Sequence, residues 1–152
     1  MRIFFLPAPS CPPSLLGNFV SPRPRILYVN NSADLYGASR ALLRILAPLV
    51  ERGFEPILVV PERGPLQERS AALGITVIVD PGLSIVDRAS LKSLRAFKFL
   101  LGFPLSVLRF FSLIRRERIA LVHTNTAVMP SPALAAWFAG VPHVWHMREI
   151  FD

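Results

Sequence analysis

The sequence predicts a doubly wound α/β domain, a parallel sheet covered by helices on both faces. Three observations carry this. Short apolar runs rich in strand formers alternate along the chain with segments of helical periodicity. The strand runs are near-continuously apolar, as strands buried on both sides are, rather than alternating. Gly and Pro punctuate most of the junctions. With 152 residues, 52% of them hydrophobic, the chain has room for one such domain and material for its core.

Residues 1–24 hold six prolines and no apolar periodicity, so they are expected to form an extended, disordered leader. The start has one Arg and a short apolar patch, but Pro7, Pro12 and Pro13 interrupt it at once. It reads as a leader, or as sequence upstream of the true start, rather than as a signal peptide. Order is expected from Arg25, and residues 25–152 form the domain. Residues 25–30 (RILYVN) are a first strand. A loop over 31–37 leads to a helix over 38–52, with Ala38, Leu42, Ile45 and Leu49 at helical spacing, Pro48 as a kink and Gly53 as its end. Residues 56–60 are a second strand, 66–73 a short helix closed by Gly74, and 75–79 a third strand stopped by Asp80, Pro81 and Gly82. Two helices hinged near Gly102 and Pro104 follow. Residues 119–123 are a fourth strand, 130–139 a helix closed by Gly140, and 142–146 a fifth strand.

The formal net charge is +7, and it is local. Residues 88–118 hold eight basic residues and one acidic one, while the rest of the chain holds nine of each. Arg88, Lys92, Arg95, Lys98, Gly102, Ser106, Arg109, Ser112 and Arg116 advance by three or four, a stripe of small or basic groups along a helical path. Leu105, Leu108 and the other long apolar residues lie largely elsewhere on it. Such a segment fits a helix lying on an anionic membrane surface, with Arg88, Lys92, Arg95, Lys98, Arg109 and Arg116 as contacts. The alternative is an amphipathic helix packed on the sheet with solvated charges. The longest uncharged apolar run beside it has ten residues, where a spanning helix needs about 20. Nucleic acid is not an expected partner, because the segment has no Tyr or Trp among its basic residues and matches no binding motif. The single Cys11 excludes a disulfide framework, and no Cys/His spacing suggests structural zinc. The expected location is cytoplasmic, peripheral on the inner face of the membrane.

Ligands of open α/β sheets bind beyond the carboxyl ends of the strands. Polar groups collect there: residues 30–40 after the first strand, His123, Thr124, Asn125 and Thr126 at the fourth, and His146, Arg148 and Glu149 at the fifth. Gly37 stands where a helix begins, which suits either a plain helix start or close approach of an anion to free N–H groups. The dinucleotide pattern Gly-any-Gly-any-any-Gly is absent, so no nicotinamide or flavin cofactor is expected. His123 is either a core histidine or a cleft group. Adjacent fourth and fifth strands would bring His123 and His146 to one cleft, with His143 on the opposite face. No metal site is expected among them. Arg148 and Glu149 read equally as a solvated pair or as a polar lip of the cleft.

Several stretches together resemble family 4 glycosyltransferases. Residues 25–29 with 36–43 (YGASRALL) are similar to their first strand, glycine loop and first helix. Residues 49–61 with 64–66 resemble the second strand and its exit, and 121–125 (LVHTN) with 139–149 (AGVPHVWHMRE) the fourth and fifth strands. The resemblance implies a GT-B fold of two Rossmann-like halves, of which this chain is the amino-terminal, acceptor-side half. It implies a retaining transfer from a nucleotide sugar to a lipid-linked or polysaccharide acceptor, with no cofactor. The other half would bind the nucleotide, and a fragment lacking it would be inactive alone. By the same resemblance His123 is the catalytic candidate. Gly37 and Ala38 match the loop near the donor phosphates, with Ala38 where many members have a second glycine. Asn125 stands for the second histidine of a His-any-His motif and cannot act as a general base. His146, Arg148 and Glu149 match the pattern after the fifth strand.

Overall fold

The structure, a computed structural model, describes residues 2–6, 23–83 and 94–147, with side chains described for 23–83 and 102–147. Six strands form one sheet: β1 (Arg2–Leu6), β2 (Arg25–Val29), β3 (Glu55–Val60), β4 (Thr76–Val79), β5 (Ile119–Thr124) and β6 (His143–Met147). Their order is β1-β6-β5-β2-β3-β4. From β6 to β4 all neighbours are parallel, and β1 joins the β6 edge antiparallel. Helices α1 (Gly37–Glu51) and α2 (Pro65–Ala72) pack on one face. Helices α3 (Leu94–Arg116) and α4 (Ser131–Ala139) pack on the other. This is the doubly wound α/β architecture that the apolar runs predict, and the boundaries from β2 to β6, α3 aside, fall within one residue of those expected.

Two-residue alternation splits each buried strand between two cores. Leu27, Val29, Ile57, Val59 and Val122 meet Val107, Phe110 and Ile114 of α3 and Ala135 and Ala136 of α4. Ile26, Tyr28, Leu58 and Val60 meet Leu42 and Leu46 of α1 and Leu66 of α2. Burying each large aliphatic side chain contributes about 1.5–3 kcal/mol, so the two layers hold the strand ends in fixed register. Gly64 is needed for close approach, since a Cβ there would stand 2.9 Å from the Ala33 carbonyl oxygen. That contact joins the exits of β2 and β3.

Three expectations are corrected. Residues 2–6, assigned with the leader, form β1. The prolines that prompted the assignment begin only at Pro7, and Ile3, Phe4, Phe5 and Leu6 are strand formers that meet the edge of β6, which would otherwise stay unpaired. The basic segment is not two helices hinged at Gly102 and Pro104, because α3 runs through both. A proline removes one helical hydrogen bond, and the burial of Val107, Phe110 and Ile114 just beyond it holds the helix together. Nor is the stripe uniformly outward. Ser106 is buried and donates to Ser131 Oγ of α4 at 2.9 Å, whereas Leu105 and Leu108 are exposed. A helix packed on both a sheet and a neighbouring helix buries an arc that spacing alone does not locate.

Candidate functional site

The parallel strands end together at one rim, and a buried amide pair marks its centre. Asn30 follows β2 directly, and Asn125 follows β5, the strand hydrogen-bonded beside it. Backbone bonds fix both: Asn30 N–H donates to Val59 O and Asn125 N–H to Val29 O. Asn125 Nδ2 donates to Asn30 Oδ1 at 2.8 Å, and Asn30 Nδ2 donates to Ser32 O at 2.7 Å and to Ser39 Oγ at 3.3 Å. Asn125 Nδ2 also lies 3.5 Å from Ala38 O. The network ties two strand ends to the first turn of α1 without using a charge.

That first turn is open. Its N-cap, Tyr36, makes no side-chain cap hydrogen bond, and no acidic residue lies in the turn. The first N–H groups of a helix lack intrahelical acceptors, and the helix dipole adds positive potential there. A Cβ on Gly37 would meet nothing within 4 Å, so packing does not require glycine at that position. The arrangement suits a phosphate or a sugar hydroxyl held by backbone N–H groups above a neutral amide floor.

His123, two residues before Asn125, lies on the same side of the sheet as α1. Its ring stacks obliquely on Tyr28, centroids 4.9 Å apart, and stands 5.7 Å from the ring of His146. Burial pushes the Tyr28 hydroxyl up to about 12, so it stays protonated and neutral beneath the imidazole. The expected pairing of His123 with His146 is present. His123 is half-buried and His146 is buried, so His123 is the more open of the two.

His143 faces the other way, as its spacing predicts. Its Nε2 is 2.9 Å from Thr124 Oγ1, and its ring meets Trp145 edge-on. Trp145 Nε1 donates to the carbonyl of Thr126. Burial lowers the His143 pKa to about 4, which keeps the ring neutral in the folded protein.

The structure therefore brings Gly37, Ala38 and Asn125 together and sets His123 beside His146. Arg109 lies on α3 beside Asp80, at the exit of β4, and Arg116 at the end of α3, and neither bonds the residues of the amide network. Arg95 and Lys98 lie in the first two turns of α3. Arg88, Lys92, Arg148 and Glu149 lie outside the described residues. Asn30 and Ser39 were not singled out from the sequence. The available signal was an asparagine placed immediately after an apolar strand, twice, on strands expected to be neighbours. A separate hollow of about 360 Å³ opens at the opposite end of the sheet. Three of its four charged residues are engaged with one another, Arg25 bonding Glu55 at 2.9 Å and Glu117 at 3.0 Å, so it reads as a structural clasp. Among the described residues no group of three His, Cys, Asp or Glu side chains could hold a metal ion.

Comparison with known proteins agrees with this architecture. The model of the glycosyl transferase 4-like domain matches residues 36–151. The crystal structure of a glycosyltransferase from Rickettsia africae ESF-5 superimposes with a TM-score of 0.57 at 17% identity, covering 78% of this chain and 28% of that one. At that identity the likeness speaks for the fold, and the chain spans under a third of the length of that enzyme. No curated protein matches. The family match takes in the open first turn of α1, the strand end that bears Asn125 and the histidine pair, and on it the chain belongs to the glycosyl transferase 4-like family.

Proposed function

We propose that the chain forms the acceptor-side half of a retaining glycosyltransferase, one that moves a sugar from a nucleotide sugar to a lipid-linked or saccharide acceptor. One observation carries the reading: the Asn30–Asn125–Ser39 network, whose Asn125 follows His123 by two residues, holds an uncapped helix start at the rim where ligands of such sheets bind. In this reading the first turn of α1 faces the donor phosphates. It favours the negative charge that grows on the leaving nucleotide diphosphate as the bond from the anomeric carbon breaks. The bond that forms joins that carbon to the acceptor oxygen, and the acceptor proton leaves with the departing phosphate. Asn125 has no basic nitrogen and serves as a hydrogen-bond partner for a hydroxyl. His123, stacked on Tyr28, carries two ring nitrogens that can serve as hydrogen-bond donor or acceptor, and it is the catalytic candidate. A partner domain would supply most of the nucleotide site.

Amide chemical-shift mapping tests this. Titration with nucleoside diphosphates and with saccharide or lipid-linked acceptors should move Gly37, Ala38, Ser39 and Asn125 first. Shifts confined to the opposite end of the sheet, around Arg25 and Glu117, would overturn it.

A further inference from the structure

Strand β6 is held from two sides, and the two holds differ in length. On its inner side β5 pairs Val122 with His143, His123 with Val144 and Thr124 with Trp145. Strand β5 then ends at Thr124 and gives way to a bend over 125–128. On its outer side β1 pairs with the whole of β6, from Leu6 with His143 to Arg2 with Met147. Ile3 with His146 and Arg2 with Met147 lie beyond the end of the β5 pairing. The start of β6 is thus clasped by two strands, and its end by β1.

That end carries a residue of the candidate site. His146 is buried, and its ring stands 5.7 Å from that of His123 on the neighbouring strand. A strand side chain points where its backbone is fixed, so the approach of the two imidazoles depends on what fixes residues 146 and 147. Strand ends that lose a ladder open locally at small cost, because their N–H and C=O groups exchange protein partners for water. His143 is the opposite case. Its backbone pairs with both Leu6 and Val122, and its ring lies 2.9 Å from Thr124 Oγ1.

We infer that β1 is a positioning strand for the rim: by pairing with the end of β6, residues 2–6 keep His146 packed beside His123. The plainer role, covering an exposed edge, calls for pairing where β6 is already a strand. At His146 and Met147 β1 does more, since the pairing that continues the strand there is its own. In the sheet β1 neighbours β6 alone, at the end of the strand order, and residues 7–24 connect it to β2. It can therefore leave the edge while β2 to β5 stay paired. The consequence for function rests on reading this rim as the ligand site. The hold on His146 does not, because it is measured on protein without ligand.

The test is modification of the three histidines of the full chain by diethyl pyrocarbonate, with the rate at each followed by mass spectrometry. Ile3→Pro with Phe4→Pro removes two consecutive N–H groups. Such groups point to opposite sides of a strand, so one of the two faces β6 and the ladder is broken whichever it is. His146 should then react about tenfold faster or more, as the end of β6 opens locally, while His143 keeps its rate. Ile3→Val with Phe4→Tyr retains both N–H groups and the strand preference, and should leave both histidines at their wild-type rates. The inference is overturned if His146 keeps its rate in the proline variant. It is overturned equally if His143 accelerates in step with His146, or if the far-ultraviolet spectrum is lost, since β1 would then support the fold at large. A conservative variant as reactive as the proline one would assign the hold to side chains and refute the ladder. Absence of ligand binding at the rim of the wild type would remove the transferase reading and leave the modification result as it stands.

Discussion

His143 makes the folded protein sensitive to acid in a calculable way. Its ring is buried at the start of β6, with Nε2 against Thr124 Oγ1 and with no hydrogen-bond partner at Nδ1 among the described residues. Burial lowers its pKa from 6.5 to about 4. Between those values the unfolded chain binds a proton that the folded chain refuses, so stability falls as pH falls through the window. Stability is fully retained above the unfolded value, and the loss saturates below pH 4 at roughly 3 kcal/mol. Going from pH 7.5 to 5.0 should cost about 2 kcal/mol from this residue. With a urea dependence of about 2 kcal/mol per molar, the unfolding midpoint should drop by roughly 1 M. The comparison is His143→Gln, which does not titrate but keeps an amide for the buried Thr124 hydroxyl. Urea midpoints of both proteins at pH 7.5, 6.0 and 5.0 isolate the imidazole, because every other titrating group is common to the two. The gap between wild type and variant should shrink on acidification. Midpoints that fall in parallel would refute the claim that His143 is held neutral by burial.

Gly37→Ala should leave stability unchanged or raise it by up to about 1 kcal/mol, since its Cβ enters open space at a helix position. Any loss of anion or saccharide binding in that variant, measured by calorimetry, then reports ligand approach. Gly64→Ala should destabilise by about 1–3 kcal/mol in urea, because the new Cβ meets the Ala33 backbone oxygen at 2.9 Å. Arg25→Met should cost no more than about 1 kcal/mol, its two ion pairs being part-exposed, and should leave ligand binding at the opposite rim intact. Asn125→Asp should destabilise by about 1–3 kcal/mol at neutral pH, because the donor to Asn30 Oδ1 is replaced by an acceptor facing it. The added negative charge beside the first turn of α1 should also abolish phosphate binding there, read by the same calorimetry.

The sheet was legible because burial on both faces leaves a strong mark. Runs such as 26–29 and 56–60 have no charged residue to place on a solvent side, so a parallel interior strand is the consistent reading. Neighbouring fourth and fifth strands followed from the fold class, and with them the approach of His123 to His146. Alternation alone put His143 on the far face. What stayed hidden depends on contacts rather than periodicity. Asn30 was one polar residue among many in its loop until Asn125 came within 2.8 Å of it. Strand β1 was obscured by counting prolines over a window wider than the five residues that pair. Leu105 and Leu108 have helical spacing that fits a buried stripe. The side of α3 that is buried is decided by its packing on the sheet and on α4, which takes Ser106, Val107, Phe110 and Ile114 inward and leaves the two leucines exposed.

The distribution of charge follows one physical logic. Among the ion-paired acidic side chains, Glu55 and Glu117 clasp Arg25 at the opposite end of the sheet, and Asp80, directly after β4, meets Arg109 of α3. The buried centre of the rim, between β2, β5 and α1, is built from asparagine and serine, which satisfy one another when buried and cost little desolvation, while Asp34 of the same loop stays exposed. A carboxylate in their place would bond the strands equally well. It would also neutralise the positive end of α1, the feature that equips this edge of the sheet to hold an anion. Buried amides join three elements while leaving the helix field uncompensated, which a charged network could not do.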